Sequence, residues 1–288
     1  MATLKQIRQR IKTAKNIRQI TKAMKLVAAA RLKRATDRVF EARPYSEKLR
    51  EIILSLGSAG DVPSHPLMDK RPDIKSYALI VLTSERGLAG GYNTNLIRKA
   101  YDFLKANPNN PKLITIGKKG TGFFGRHGYN IVNSRMMDAA GAKLSDANEV
   151  CKIAREMFES GEVDAIYICY SKFYSPIRQT PQIVQLLPIE PPKDEVAEAT
   201  HSSSFVFEPD PASLLGTLLP RYFFTLVWQA MLEATASEHG ARMTAMTSAT
   251  DNAGKMIDSL TLKANRERQA AITKQIMEIV GGAEALKS

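Results

Sequence analysis

The residues with the strongest chemical potential lie in three places. Ser237, Glu238, His239 and Arg242 fall on about one helical turn. A hydroxyl, a carboxylate, an imidazole and a guanidinium so close together invite a catalytic reading, but the spacing supplies no nucleophile–base–acid order. They read as polar interface residues. Gly120-Thr121-Gly122-Phe123-Phe124-Gly125 matches G-x-G-x-x-G, and Asp138 lies 18 residues beyond the first glycine, near where a ribose-binding acid is expected. The preceding strand, however, ends near Ile116, so these glycines sit inside a helix rather than in the first turn. Gly87-Leu88-Ala89-Gly90-Gly91-Tyr92-Asn93 follows a strand and opens a helix, a geometry able to cradle phosphate at the helix N-terminus. It carries no G-K-[S/T] and reads as a tight crossover with Asn93 as cap. Cys151 and Cys169 sit in apolar surroundings and read as buried thiols in a reducing compartment. His65, His127, His201 and His239 are scattered, so no metal site and no cofactor are expected.

The elements that must position these residues begin with a strongly charged segment. The first 36 residues hold eleven Lys or Arg and no acid. Through Arg50 the balance is fifteen basic against three acidic residues, Asp37, Glu41 and Glu47. The whole chain nets +12, with 41 basic and 29 acidic residues, so residues 51–288 are balanced at 26 of each. A field over one element calls for an acidic counterpart. No aromatic residue precedes Phe40, which removes base stacking as a route to nucleic acid. The opening MATLKQIRQRIK has no apolar core of a secretory signal, and no apolar run approaches the roughly 20 residues of a membrane span.

Leu4, Ile7, Ile11, Ala14, Ile17, Ile20, Met24 and Val27 are spaced by threes and fours, which predicts a helical stripe. The repeated threes between Ile11 and Ile20 break a strict heptad, as a stammer does. A helix is predicted from residue 3 to about 57, roughly 80 Å long at 1.5 Å per residue. Breakers from Gly57 to Pro72 follow. Tyr77–Leu82, Leu113–Ile116, Ala165–Cys169 and Gln182–Leu187 read as strands, with helices near Thr94–Ala106, Lys118–Phe124 and Ser145–Ser160. Alternation of this kind implies a mostly parallel sheet covered by helices. From Ser213 nearly to the end the chain reads helical, with Pro220 as a kink or a fresh start. Ala241, Ala245, Ala249 and Ala253 make a small-residue ridge for close helix approach.

The resulting division is a first helix over 1–57, a linker over 58–72, an α/β domain over 73–190, a linker over 191–212 and a last helix over 213–288. Two helices of about 80 and 110 Å cannot wrap within a domain roughly 35 Å across. They must pair as an antiparallel coiled coil, with the last helix outrunning the first by about 30 Å. Its tip, AITKQIMEIVGGAEAL, is apolar with few charges and requires an enclosure. The fold class is α/β, a Rossmann-like mostly parallel sheet joined to a long coiled coil.

Several stretches resemble the gamma-subunit family of bacterial F-type ATP synthases. They are IRQRIKTAKNIRQITKAMKLVAAARLKRA, LTSERGLAGGYN, FEPD, LLPRY, ASEHGARMTAMTSATDNA and QAAITKQIMEIVGGAEAL. The resemblance covers nearly the whole chain and implies a non-catalytic rotor shaft, with nucleotide sites on the alpha and beta subunits of a hexamer. Implied partners are alpha, beta, epsilon and the c-ring, with membrane contact only through the ring and no nucleic acid. The implied location is peripheral, on the cytoplasmic face of the bacterial plasma membrane. By resemblance, Lys22, Met24, Lys25, Arg242, Gln269, Thr273 and Gln275 engage alpha and beta, and Arg43, Tyr45, Phe207 and Glu208 engage epsilon and the c-ring. The family's I-T-x-E pattern reads Ile272-Thr273-Lys274-Gln275 here, so position 275 supplies no carboxylate. The readings from other classes are a basic coiled-coil protein that binds nucleic acid and a dinucleotide-dependent enzyme.

Overall fold

The computed structural model describes residues 3–58, 65–138, 141–189 and 211–285. In chain order the elements are α1 (Leu4–Ser58), a 3-10 turn (Pro66–Met68), β1 (Tyr77–Leu82), α2 (Tyr92–Ala106), β2 (Pro111–Ile116), α3 (Lys118–Arg126), β3 (Asn130–Arg135), α4 (Leu144–Glu159), β4 (Ala165–Phe173), β5 (Gln179–Leu187) and α5 (Pro211–Ala285). Both long helices carry an internal proline, Pro44 in α1 and Pro220 in α5, and run through it. The chain divides into two compact units. One comprises Met1–Val27 with Met243–Ser288, the other Ala28–Arg242.

The larger unit is built on a five-stranded sheet of order β3-β2-β1-β4-β5. The first four strands are parallel and β5 returns antiparallel along β4. β1 is central and buried along its whole length. Its alternate residues serve two cores. Ala78, Ile80 and Leu82 join a core with α4 and parts of α1 and α5. Tyr77, Leu79 and Val81 join a second core with α2 and α3. Burial on both faces is why β1 reads as an unbroken apolar run. Residues Ala28–Ser58 of α1 and Pro211–Arg242 of α5 lie antiparallel in this unit: the Arg38 guanidinium sits 5.6 Å from the Trp228 ring, and Ala42, Tyr45 and Ser46 line a groove with Arg221, Phe224 and Trp228.

Two expectations are corrected in this unit. β3 was not legible as a strand. It is an edge strand with alternating exposed and half-buried residues and only Ile131 and Val132 as apolar members, too weak a pattern to mark it. Asn93 does not cap α2, whose N-cap is Gly91 without a side-chain bond. Its Oδ1 instead accepts from the Ser84 backbone N–H at 3.0 Å, tying the helix start back to the end of β1.

In the smaller unit the two helices pair along a seam. Thr250 Oγ1 donates to Thr21 Oγ1 at 2.8 Å. Along α1 the seam is a strict heptad. Ile7, Ala14 and Thr21 are buried at intervals of seven, and Ala28 and Ala35 continue the same register further along the helix. The expected stripe departs from this at Ile17. Ile17, Ile20 and Val27 are 47%, 60% and 53% exposed, so they form a second apolar row beside the seam and no stammer is needed. Small residues hold the seam because they let two backbones approach closely. Met246, Ala253 and Ile257 are buried on the α5 side, and Met256 is exposed. From Arg268 to Gly282 every residue of α5 is exposed, so the expected overhang is present.

Candidate functional site

In open α/β sheets, ligands bind beyond the carboxyl ends of the strands where the strand order reverses. Here that point lies between β1 and β4, whose outer neighbours are β2 and β5. It is filled by the chain's own helix. Ala234–Arg242 of α5 contact the segments that follow β1, β3 and β4. Tyr92 Oη donates to the Ala234 carbonyl at 3.2 Å, and Ser237 Oγ donates to the Ser171 carbonyl at 2.8 Å. Gly141, at φ +105°, leaves room for Thr235, whose Cγ2 would lie 2.9 Å from a Cβ there. Gly240 sits under the β4–β5 hairpin, where an added Cβ would be 3.3 Å from Pro176.

The polar turn of α5 is part of this joint. Arg242 Nη2 pairs with Glu238 Oε1 at 2.6 Å, and their side chains are only 11% and 13% exposed. The same nitrogen faces the carbonyls of Arg86 and Gly87, each at 3.5 Å. The 84–91 turn thus offers carbonyl oxygens to a guanidinium where a phosphate cradle would offer N–H groups. Arg242 Nη1 lies 3.3 Å from His239 Nδ1. Arginine can only donate, so Nδ1 accepts and the ring proton resides on Nε2. Burial, then Arg242, then Arg31 lower the His239 pKa to about 4. Burial pushes the Glu238 carboxyl up, against the pull of Arg242, with Glu85 adding to the rise and Arg31 opposing it.

His239 therefore stays neutral when folded and charges near 6.5 when unfolded. Its contribution to stability is complete above pH 6.5 and is lost as pH falls towards 4, because the unfolded chain binds the extra proton. Replacing His239 with glutamine is expected to flatten the fall in melting midpoint between pH 6.5 and 4. Thermal melts at half-unit pH steps measure it, and parallel wild-type and variant curves would contradict it.

The other glycine motif holds no ligand geometry. Gly120, Gly122 and Gly125 lie within α3, and the Gly120 N–H is spent on Thr83 Oγ1 at 2.8 Å. Among the described residues there is no group of His, Cys, Asp or Glu able to hold a metal, and no helix long and apolar enough to cross a membrane. Both cysteines are buried, and burial pushes each thiol up to about 12.

The residues assigned by resemblance fall in separate places. Lys22 is exposed on α1, with Met24 and Lys25 half-buried. Gln269, Thr273 and Gln275 are exposed on the α5 overhang. Arg242 is in the joint. The Arg43 guanidinium lies 4.9 Å over the Phe40 ring, and Tyr45 lines the groove of about 280 Å³ between α1 and α5. Phe207 and Glu208 lie outside the described residues. Sequence reasoning missed Tyr92 and Ser171 as joint residues. Tyr92 and Ala234 are 142 positions apart, and no local pattern connects them.

The ATP synthase family model matches residues 3–286. The chain is 45% identical to the ATP synthase gamma chain of Pelotomaculum thermopropionicum over 287 residues, covering all of both chains. It is 45% identical to that of Brevibacillus brevis over 285 residues, 98% of each chain. Among solved structures, a chain of the Euglena gracilis mitochondrial ATP synthase (OSCP/F1/c-ring, rotational state 3) superposes with TM-score 0.69 at 20% identity, covering 98% of this chain and 94% of that one. A chain of that organism's ATP synthase rotor gives TM-score 0.66 at 19% identity, covering 93% and 98%.

Proposed function

The chain belongs to the ATP synthase gamma-chain family, and we propose that its two long helices form the shaft that carries torque between a membrane c-ring and a catalytic alpha/beta hexamer. It is a non-catalytic subunit of the complex, which couples ion flow to ATP synthesis or hydrolysis. The observation that carries the shaft reading is the α5 overhang. Ile272, Ile276, Met277, Ile279 and Val280 are all exposed on a stretch of helix, Arg268–Gly282, that is covered by nothing among the described residues. A lone helix is marginal in water, and Gly281 and Gly282 weaken this one by about 1 kcal/mol each. Its apolar surface needs a sleeve, and the hexamer of the relatives' complex is one.

In this reading Lys22, Met24 and Lys25 on α1 meet acidic loops of beta as the shaft turns. Gln269, Thr273 and Gln275 lie within the sleeve, with Arg242 at its entrance. Arg43, Tyr45, Phe207 and Glu208 face epsilon and the c-ring. Residues 1–57 and 213–288 serve as the shaft and 73–190 as its foot. The subunit is peripheral, placed by this reading at the cytoplasmic face of the bacterial plasma membrane. The nucleic-acid reading of the basic helix finds no support among the relatives. Two measurements test the proposal: co-purification with alpha and beta, and ATP hydrolysis by the isolated chain. Stoichiometric capture with no turnover by the free chain is expected. Turnover that persists once alpha and beta are removed, or failure to join them, would overturn it.

A further inference from the structure

We propose that the joint at the carboxyl end of the sheet, with Tyr92 and Ser237 as its positioning residues, is where torque passes between the α/β domain and helix α5. This rests on the rotor reading and adds the path that the torque takes through this chain.

Two kinds of contact hold α5 in the larger unit. Leu215, Leu219, Phe223, Val227, Ala230 and Met231 lie in the apolar core. Apolar burial is strong but non-directional, so it resists removal of the helix better than it resists rotation about the helix axis. The contacts at Ala234–Arg242 are directional. Tyr92 Oη on the Ala234 carbonyl and Ser237 Oγ on the Ser171 carbonyl are both buried bonds. Gly240 is pressed against Pro176, and Arg242 faces the Arg86 and Gly87 carbonyls. At 3.6 residues per turn, positions 234, 237, 240 and 242 are spread over roughly 200° of the helix circumference. They meet α2, β4, the β4–β5 hairpin and the 84–91 turn in order. A helix held from four directions cannot roll without straining all of them. A helix held only by its apolar face can shift by small slips. α5 continues as one helix from this joint to Ala285.

The test uses the assembled enzyme in vesicles. One variant carries Tyr92→Phe with Ser237→Ala, which removes two hydroxyls and adds no volume. Ions pumped per ATP hydrolysed are measured with no opposing gradient and with a large one. The expected result is an unchanged ratio without load, a fall of at least twofold under load, and an unchanged rate of ATP hydrolysis. A merely structural role would give no load dependence. Equal ratios for wild type and variant at both loads would overturn the joint. If the double variant does not assemble, Tyr92→Phe alone is measured with the same two outcomes. A wild-type chain that fails to couple pumping at all would refute the rotor reading instead, so the two failures are distinguishable.

Discussion

A Gly117→Val chain is expected to lose the cooperative unfolding transition of its α/β domain. Gly117 follows β2 with φ +97°, a backbone region that side chains rarely enter. A Cβ there would lie 2.0 Å from the Thr83 carbonyl oxygen and 2.5 Å from its carbon. Both atoms are backbone, so nothing flexible can yield. The position also gathers three strands. The Gly117 N–H donates to the Arg135 carbonyl at 2.8 Å, the Thr83 N–H donates to the Ile116 carbonyl at 2.7 Å, and Thr83 Oγ1 donates to the Gly117 carbonyl at 2.9 Å. Backbone strain alone costs about 1–3 kcal/mol, and relieving the clash would break these bonds as well. Against a total stability of about 5–15 kcal/mol, that removes most or all of the margin. Gly122→Ala is the control. It lies in α3 with open space around it, and the exchange should stabilise the helix by up to about 1 kcal/mol. Urea melts followed by circular dichroism measure both. A Gly117→Val midpoint close to wild type would contradict the first.

Met24→Lys is expected to leave assembly intact and reduce ions pumped per ATP hydrolysed. Met24 is half-buried on α1 within a run of 36 residues that has no acid. In the proposed reading this segment passes acidic loops of beta as the shaft turns, and such contacts must be weak enough to release. Opposite charges about 4 Å apart at an effective dielectric near 20 attract by about 4 kcal/mol before desolvation and screening. A fraction of that at one angle makes a sticking point. The site is partly exposed, so added salt should restore part of the ratio. An unchanged ratio at low salt would show that a new charge at this position has no hold on rotation.

How much of this could be read in advance depended on what each residue faces. β1 was legible because both of its faces are buried and its composition says so. β3 was not, because an edge strand with one half-buried row needs little apolar content. The coiled coil was legible in outline and misread in detail. Ile17, Ile20 and Val27 are apolar because they flank the seam on the open face of α1, and the seam itself is held by Ala14 and Thr21, whose small size rather than hydrophobicity suits them to close contact. Hydrophobic spacing therefore followed the seam through Ile7 and Ala14 and left it at Ile17. The polar turn at Ser237–Arg242 was legible as an interface. Its partners Tyr92 and Ser171 were not, because they are brought to it only by the strand order of the sheet.

The most direct test of the account is whether this chain turns. Ile177 at the hairpin tip is 84% exposed, and both native thiols are buried, so Ile177→Cys offers a single reactive site for an optical probe. The labelled chain is assembled with alpha and beta, the hexamer is fixed to a surface through beta, and ATP is added. Rotation of the probe in one direction is the expected result. ATP hydrolysis by the same molecules with the probe stationary would contradict it.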